Sequence, residues 1–236
     1  MRKERLSKYT LYSSIFCPFS RKVRFVLDEM EIDYQTTEVK FWLRNREFLM
    51  LNPANEVPVL KNLQTGEVLC DSYLICEYIC STERETSELN YFDFFGLNLG
   101  EKYEIQRLHM WFDKKFYSEV SRYIMEEIFI SGFTGTGHTN TDKLAVAMKN
   151  LELHIGYMEH LLGRKKWLAS ESFTIADIAA AAELSVIDYL GYVEWNGHPK
   201  LKEWYRITKS KKGFRNILYD KIPGFRASKY YSELDF

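Results

Sequence analysis

Two periods of hydrophobic positions divide this chain. In its first part, short β-prone runs alternate with helical ones. Tyr9-Thr10-Leu11-Tyr12 predicts a strand, and Val23, Val26, Leu27 and Met30 follow at helical spacing. Residues 34–39 (YQTTEV) predict a second strand, and residues 46–51 a short helix stopped by Asn52-Pro53. Residues 59–62 and 67–69 flank a turn containing Gly66, the pattern of a hairpin. Asp71-Ser72 then opens a helix carrying Ile75, Tyr78 and Ile79. The order β-α-β-α-β-β-α predicts a compact α/β unit whose first two strands are joined by a crossover helix.

The period changes beyond Ser81, where a polar stretch (STERETSELN) begins. The divisions expected are an α/β domain over 1–82, a linker over 83–93, an all-helical domain over 94–225 and a tail over 226–236. No strand pattern follows the linker. A long helix is expected over 103–130, with Ile105, Leu108, Phe112, Phe116, Val120, Tyr123 and Ile124 on one stripe. A loop follows over 131–140. Leu144, Met148, Leu151, Ile155, Met158 and Leu162 then predict a strongly amphipathic helix.

Composition narrows the classes. With 236 residues, 46% hydrophobic and 28% charged, the chain has enough apolar material for a full core, which excludes wholesale disorder. A formal charge of −1 gives no global field toward nucleic acid or anionic lipid. The basic runs at 164–166 and 209–212 are short and read as solvated helix ends. The glycine-rich stretch SGFTGTGHTN lacks the Gly-Lys-Ser/Thr ending of a phosphate loop. No secretory leader follows Met1, and no run is long and apolar enough to span a membrane, so a cytoplasmic location is expected. There the four cysteines, Cys17, Cys70, Cys76 and Cys80, are expected as thiols, and their spacing makes no metal site.

Three small features carry candidate chemistry. Cys17 ends the loop after the first strand and abuts a helix that starts near Pro18. Helix N-terminal N–H groups, together with Arg21, Lys22 and Arg24, favour a thiolate at such a position. The alternative is an inert buried cysteine. Val57-Pro58 enters a strand, where a cis proline turns the preceding backbone outward to pair with an extended peptide. Asp71-Ser72 starts a helix, where Ser72 can present its hydroxyl and N–H groups to a carboxylate.

In this order and spacing the three features resemble the thioredoxin-like domain of the glutathione S-transferase (GST) family. The resemblance implies a GST fold: an N-terminal thioredoxin-like βαβαββα domain and a C-terminal helical bundle, α/β followed by all-α. It implies glutathione as co-substrate, with Cys17 at the sulfur, Val57 and Pro58 at the peptide backbone, and Asp71 and Ser72 at the γ-glutamyl end. A cysteine at the first position resembles the thiol-type classes, such as omega, which favour disulfide exchange over conjugation. Ser20 stands where a dithiol glutaredoxin has its second cysteine, so a two-cysteine cycle is not expected. The segment Phe173-Thr174-Ile175-Ala176-Asp177-Ile178 has the pattern of a capping box with a hydrophobic staple, and is similar to the box that opens the family's buried core helix. The resemblance spans roughly residues 8–215.

Further segments are similar to one bacterial branch of the family, GST-like proteins that bind the tubulin-like division protein FtsZ. They are Phe41-Trp42-Leu43-Arg44, Met110 to Phe116, Ala181 to Gly191, Pro223-Gly224-Phe225, and the end of the chain, which includes Tyr230 and Phe236. That likeness implies a homodimeric scaffold with weak or no catalysis, and partner contacts at Trp42, Arg44, Tyr230 and Phe236. Phe41 and Trp42 read equally as a binding hot spot or as cover for the core, and the tail as a segment docked on the body or on a partner. The other functional reading is an active glutathione transferase or glutathione-dependent thiol transferase using Cys17.

Overall fold

A computed structural model describes residues 7–84, 94–135 and 139–234. The first half holds β1 (Tyr9–Ser13), α1 (Pro18–Glu29), β2 (Tyr34–Glu38), α2 (Arg46–Leu51), β3 (Val59–Asn62), β4 (Val68–Cys70) and α3 (Ser72–Arg84). This is the order that the hydrophobic pattern predicts. The sheet runs β2-β1-β3-β4, parallel between β1 and β2 and antiparallel at the other two pairings. Tyr9 and Leu11 alternate inward along β1, and α1 buries Val23, Phe25, Val26 and Leu27. Helix α3 continues through Arg84, two residues into the stretch read as linker; residues 85–93 of that linker lie outside the described residues.

Beyond β4 the described residues contain helices and loops but no strand. Helix α4 (Leu99–Met110) runs into a π-helical stretch (Trp111–Ser121), an α-helical turn α5 (Arg122–Ile124), a second π stretch (Met125–Ile130) and α6 (Ser131–Thr134). The expected long helix is therefore present, longer at both ends and widened along its length. Its buried stripe explains the widening. Phe112, Phe116, Val120 and Ile124 repeat every four residues and are all fully buried. At 3.6 residues per turn such a stripe rotates by about 40° each step, and wider π turns bring it back to the core face.

The remaining helices are α7 (Thr141–Leu162), α8 (Ile175–Tyr189), α9 (Pro199–Ser210) and α10 (Lys212–Leu218). All 15 residues of α8 are buried, and its run of small residues, Ala179 to Ala182, lets its neighbours approach. Helix α10 approaches α1 so closely that a side chain on Gly213 would meet the Phe25 carbonyl at 2.3 Å.

The capping box at the head of α8 forms as expected. Asp177 Oδ2 accepts from the Thr174 N–H and hydroxyl, both at 3.0 Å. Asp177 Oδ1 accepts from the Leu168 N–H and the Trp204 indole, both at 2.9 Å. One carboxylate thus ties α8 to α9 and to the preceding loop. Asp177→Ala should leave four donors short of a partner and cost about 2–4 kcal/mol in urea unfolding; a loss below about 1 kcal/mol would refute this role.

Candidate functional site

The loop after β1 is closed by the Cys17 N–H, which donates to the Ser14 carbonyl at 3.1 Å. It delivers Cys17 in extended backbone to the cap of α1, with Pro18 opening the helix. The position is the expected one, but the electrostatics differ from the thiolate reading. Cys17 is 3% exposed and sits among Val39, Phe48, Val57 and Val59. Burial pushes its thiol up to about 11, outweighing the N–H groups of Ser20 and Phe19 that pull it down. The S–H points at the Val57 carbonyl, with the sulfur 3.7 Å away.

The three cations of α1 are also engaged elsewhere. Arg21 is fully buried, donating through Nε to the Ile15 carbonyl at 2.7 Å and through one terminal nitrogen to the Ser185 hydroxyl at 2.8 Å and Tyr231 at 3.1 Å. Lys22 donates to Asp113 and lies 2.9 Å from His109 Nε2. Arg24 makes a two-pronged pair with Asp220 at 2.7 and 2.9 Å. The expectation that these residues lend positive potential to Cys17 is corrected by their direction: they reach across to the helical half.

The Val57–Pro58 peptide is cis, as expected. The Val57 N–H meets no protein acceptor among the described residues. Asp71 adopts a left-handed φ of 74° and caps α3, accepting from the N–H groups of Tyr73 at 2.8 Å and Leu74 at 3.2 Å. Ser72 follows at the helix start, its N–H and hydroxyl without protein partners among the described residues. Cys17, Val57, Pro58, Asp71 and Ser72, which lie far apart in the chain, all line one cleft of about 840 Å³. Its other wall comes from the helical half and includes His109, Asp113, Lys114 and Tyr117.

Sequence reasoning missed that wall. His109 and Asp113 stand four apart on the long helix, with His109 Nε2 3.1 Å from Asp113 Oδ2. Burial by itself would raise the Asp113 carboxyl, but Lys22 and His109 beside it hold it down at about 2. The signal was an i, i+4 His/Asp pair on an otherwise apolar stripe.

The cleft fits glutathione in part. Free N–H groups at Val57 and Ser72 suit an extended peptide and a carboxylate. The sulfur end fits poorly, because the Cys17 thiol is protonated and covered.

The proposed partner residues separate. Trp42 is half-buried, stacked on Phe133 at 5.1 Å with 9° between planes, and 5.7 Å from Phe16. Phe129 and Phe225 complete the cluster, so the Phe41-Trp42 and Pro223-Gly224-Phe225 segments converge there. Leu43 and Arg44 are exposed. Tyr230 is half exposed, whereas its neighbour Tyr231 is buried against Tyr189 and Arg21, so this part of the tail docks on the body. Phe236 lies outside the described residues.

Comparison with known proteins agrees with this architecture. A model of the glutathione S-transferase N-terminal domain matches residues 16–82, and one of the C-terminal domain matches residues 121–207. The chain belongs to the glutathione S-transferase family. It is 37% identical over 229 residues to FtsZ-localized protein A of Caulobacter vibrioides, covering 96% of this chain and 98% of that one. The solved structure of FzlA from C. crescentus superposes with a TM-score of 0.91 at 36% identity, over 97% of this chain and 100% of that chain. A glutathione S-transferase from Rhodospirillum rubrum F11 superposes with a TM-score of 0.88, also at 36% identity, over 97% and 100%. Glutathione S-transferase omega-1 of Sus scrofa is 35% identical over 69 residues, 29% of this chain and 28% of its own. Among the described residues no helix is long and apolar enough to cross a membrane.

Two measurements test this electrostatic description. At pH 7 about one Cys17 in ten thousand should be thiolate, given a value of about 11. Iodoacetamide should therefore label half-buried Cys70 faster than Cys17; fast, selective labelling of Cys17 would contradict its burial. Asp113 sits below the ordinary carboxylate range, so its pairing adds stability above about pH 4 that is lost as pH falls toward 2. Asp113→Asn should be less stable at pH 7 and lose less stability between pH 4 and 2, as read by denaturant unfolding.

Proposed function

We propose that this chain is a dimeric, cytoplasmic GST-fold scaffold that binds FtsZ and acts in bacterial cell division, with weak or no glutathione chemistry. The observation that carries the reading is its likeness, over 96% of its length, to a relative whose name is FtsZ-localized protein A. The buried, protonated Cys17 supports the low-catalysis part, since a thiol reacts as its thiolate. Exposed Leu97, Leu99 and Tyr103, at and just before the start of α4, support self-association.

The partner surface of this reading is the exposed run Leu43-Arg44 with nearby Arg46, joined by Tyr230 and Phe236 of the tail. Trp42 contributes by holding that run on the aromatic cluster. A second reading, a glutathione transferase or thiol transferase using Cys17, is favoured by the free N–H groups of Val57 and Ser72 in the cleft. Retention on immobilised glutathione with turnover, and no co-sedimentation with FtsZ polymers, would select it.

The test is co-sedimentation with FtsZ polymers. Replacing Arg44 and Arg46 together with Ala should weaken binding by about 1–2 kcal/mol and reduce its salt dependence, with little change in melting temperature. Trp42→Ala should lower the melting temperature as well, because it empties a stacked position. Unchanged binding in the double arginine variant would exclude this run as the interface.

A further inference from the structure

Arg21 is a buried cation held by neutral groups. It is fully buried, and its acceptors are three uncharged oxygens. Nε donates to the Ile15 carbonyl at 2.7 Å, and Nη1 to the hydroxyls of Ser185 at 2.8 Å and Tyr231 at 3.1 Å. Nη2 has no partner among the described residues. Burial pushes the Tyr231 hydroxyl up to about 12, so it stays neutral and brings no charge to the pair. A guanidinium with five N–H donors and a full charge is under-compensated by this set, and each acceptor it keeps counts heavily.

The three acceptors belong to three parts of the molecule. Ser185 lies on the core helix α8. Ile15 lies in the loop over 14–17, which presents Cys17 to the cleft and places Phe16 at the centre of the aromatic cluster. Tyr231 belongs to the tail, which crosses the body as a strap. The Ser228 N–H donates to the Tyr189 carbonyl at 2.7 Å and its hydroxyl to the Asp188 carbonyl at 2.8 Å. Lys209 donates to the carbonyls of Tyr230 at 3.3 Å and Glu233 at 3.2 Å. Between these fastenings Tyr231 is 1% exposed, while its neighbours Lys229, Tyr230 and Ser232 face solvent. A surface segment held by so few groups is of the kind that opens locally while the rest of a fold stays closed.

We propose that the tail is a strap that controls the Cys17 loop through Arg21. Docked, Tyr231 seals the guanidinium from water, and Arg21 ties the Ile15 carbonyl to the helical half. Lifted, the strap admits water to Nη1 and Nη2. Hydration of a charge that has no anionic partner outweighs three neutral hydrogen bonds, so the guanidinium turns outward and releases Ile15. The loop then loses its tie to α8 and uncovers the Cys17 sulfur. The coupling is reciprocal: a ligand that orders the loop from the cleft side holds the strap down, and a partner that grips the exposed Tyr230 face changes access to the cleft. It goes beyond the FtsZ reading and does not depend on it.

The experiment is iodoacetamide labelling of the full-length protein, with each of the four cysteines followed by peptide mass spectrometry. Tyr231→Phe keeps the ring and removes the hydroxyl, and should raise the labelling rate of Cys17 at least fivefold relative to Cys70. Ser228→Ala loosens the strap at its other fastening without touching Arg21, and should act in the same direction. In both variants amide exchange over 14–17 and 228–234 should quicken together. Asp177→Ala, which weakens the opposite end of α8, should give no selective rise at Cys17. An unchanged Cys17 rate in Tyr231→Phe, equal acceleration of all four cysteines, no response to Ser228→Ala, or the same selective rise in Asp177→Ala would each overturn the proposal. FtsZ co-sedimentation, run on the same preparations, reports separately on the scaffold reading.

Discussion

Three cations on one helix join the two halves of this molecule. Arg21, Lys22 and Arg24 leave α1 toward the helical half and meet Ser185 and Tyr231, Asp113 and His109, and Asp220 respectively. Arg21 and Lys22 are almost fully buried, so each depends on its partners: an uncompensated buried charge costs several kcal/mol. The pairing fixes how the long helix lies across the sheet domain and therefore the width of the cleft between them. It also draws in the tail, because Tyr231 bonds to the same guanidinium as α8.

That constraint bears on Cys17. The helix that begins beside it carries a positive end, and its neighbours in sequence are basic, which on a freestanding helix would favour a thiolate. Here the basic groups are turned away, and an apolar cluster covers the sulfur. Desolvation then outweighs the helix-end N–H groups, and the thiol keeps its proton. A protein that reads as thiol-active by motif is thereby left with unpaired backbone N–H groups at Val57 and Ser72 and a quiet sulfur.

The aromatic cluster around Phe16 plays the corresponding part for the segment at 41–44. Trp42, Phe129, Phe133 and Phe225 meet there from three distant stretches, and ring pairs of this kind add about 0.5–1.5 kcal/mol each beyond their burial. The exposed Leu43-Arg44 run is held on a rigid base as a result. A surface run anchored in this way loses little freedom on binding.

The order of elements, the capping box at Thr174–Asp177, the buried stripe of the long helix and the cis Val57–Pro58 bond were all legible from the chain itself. Each depends on residues within a few positions of one another: a period, a cap, a proline before a strand. The π-helical widening was visible only as a stripe spaced by fours, whose meaning needed the packed core. The burial of Cys17, the direction of Arg21, Lys22 and Arg24, the stacking of Trp42 and the docking of Tyr231 were not legible. Arg21 and Tyr231 are separated by 210 positions, and Lys22 and Asp113 by 91. The sequence by itself determined the elements, their caps and the turn at Val57–Pro58, because local geometry sets those. The tertiary structure alone decided which side chains lose water and which charges they meet, and desolvation and pairing are what set a thiol's or a carboxyl's chemistry.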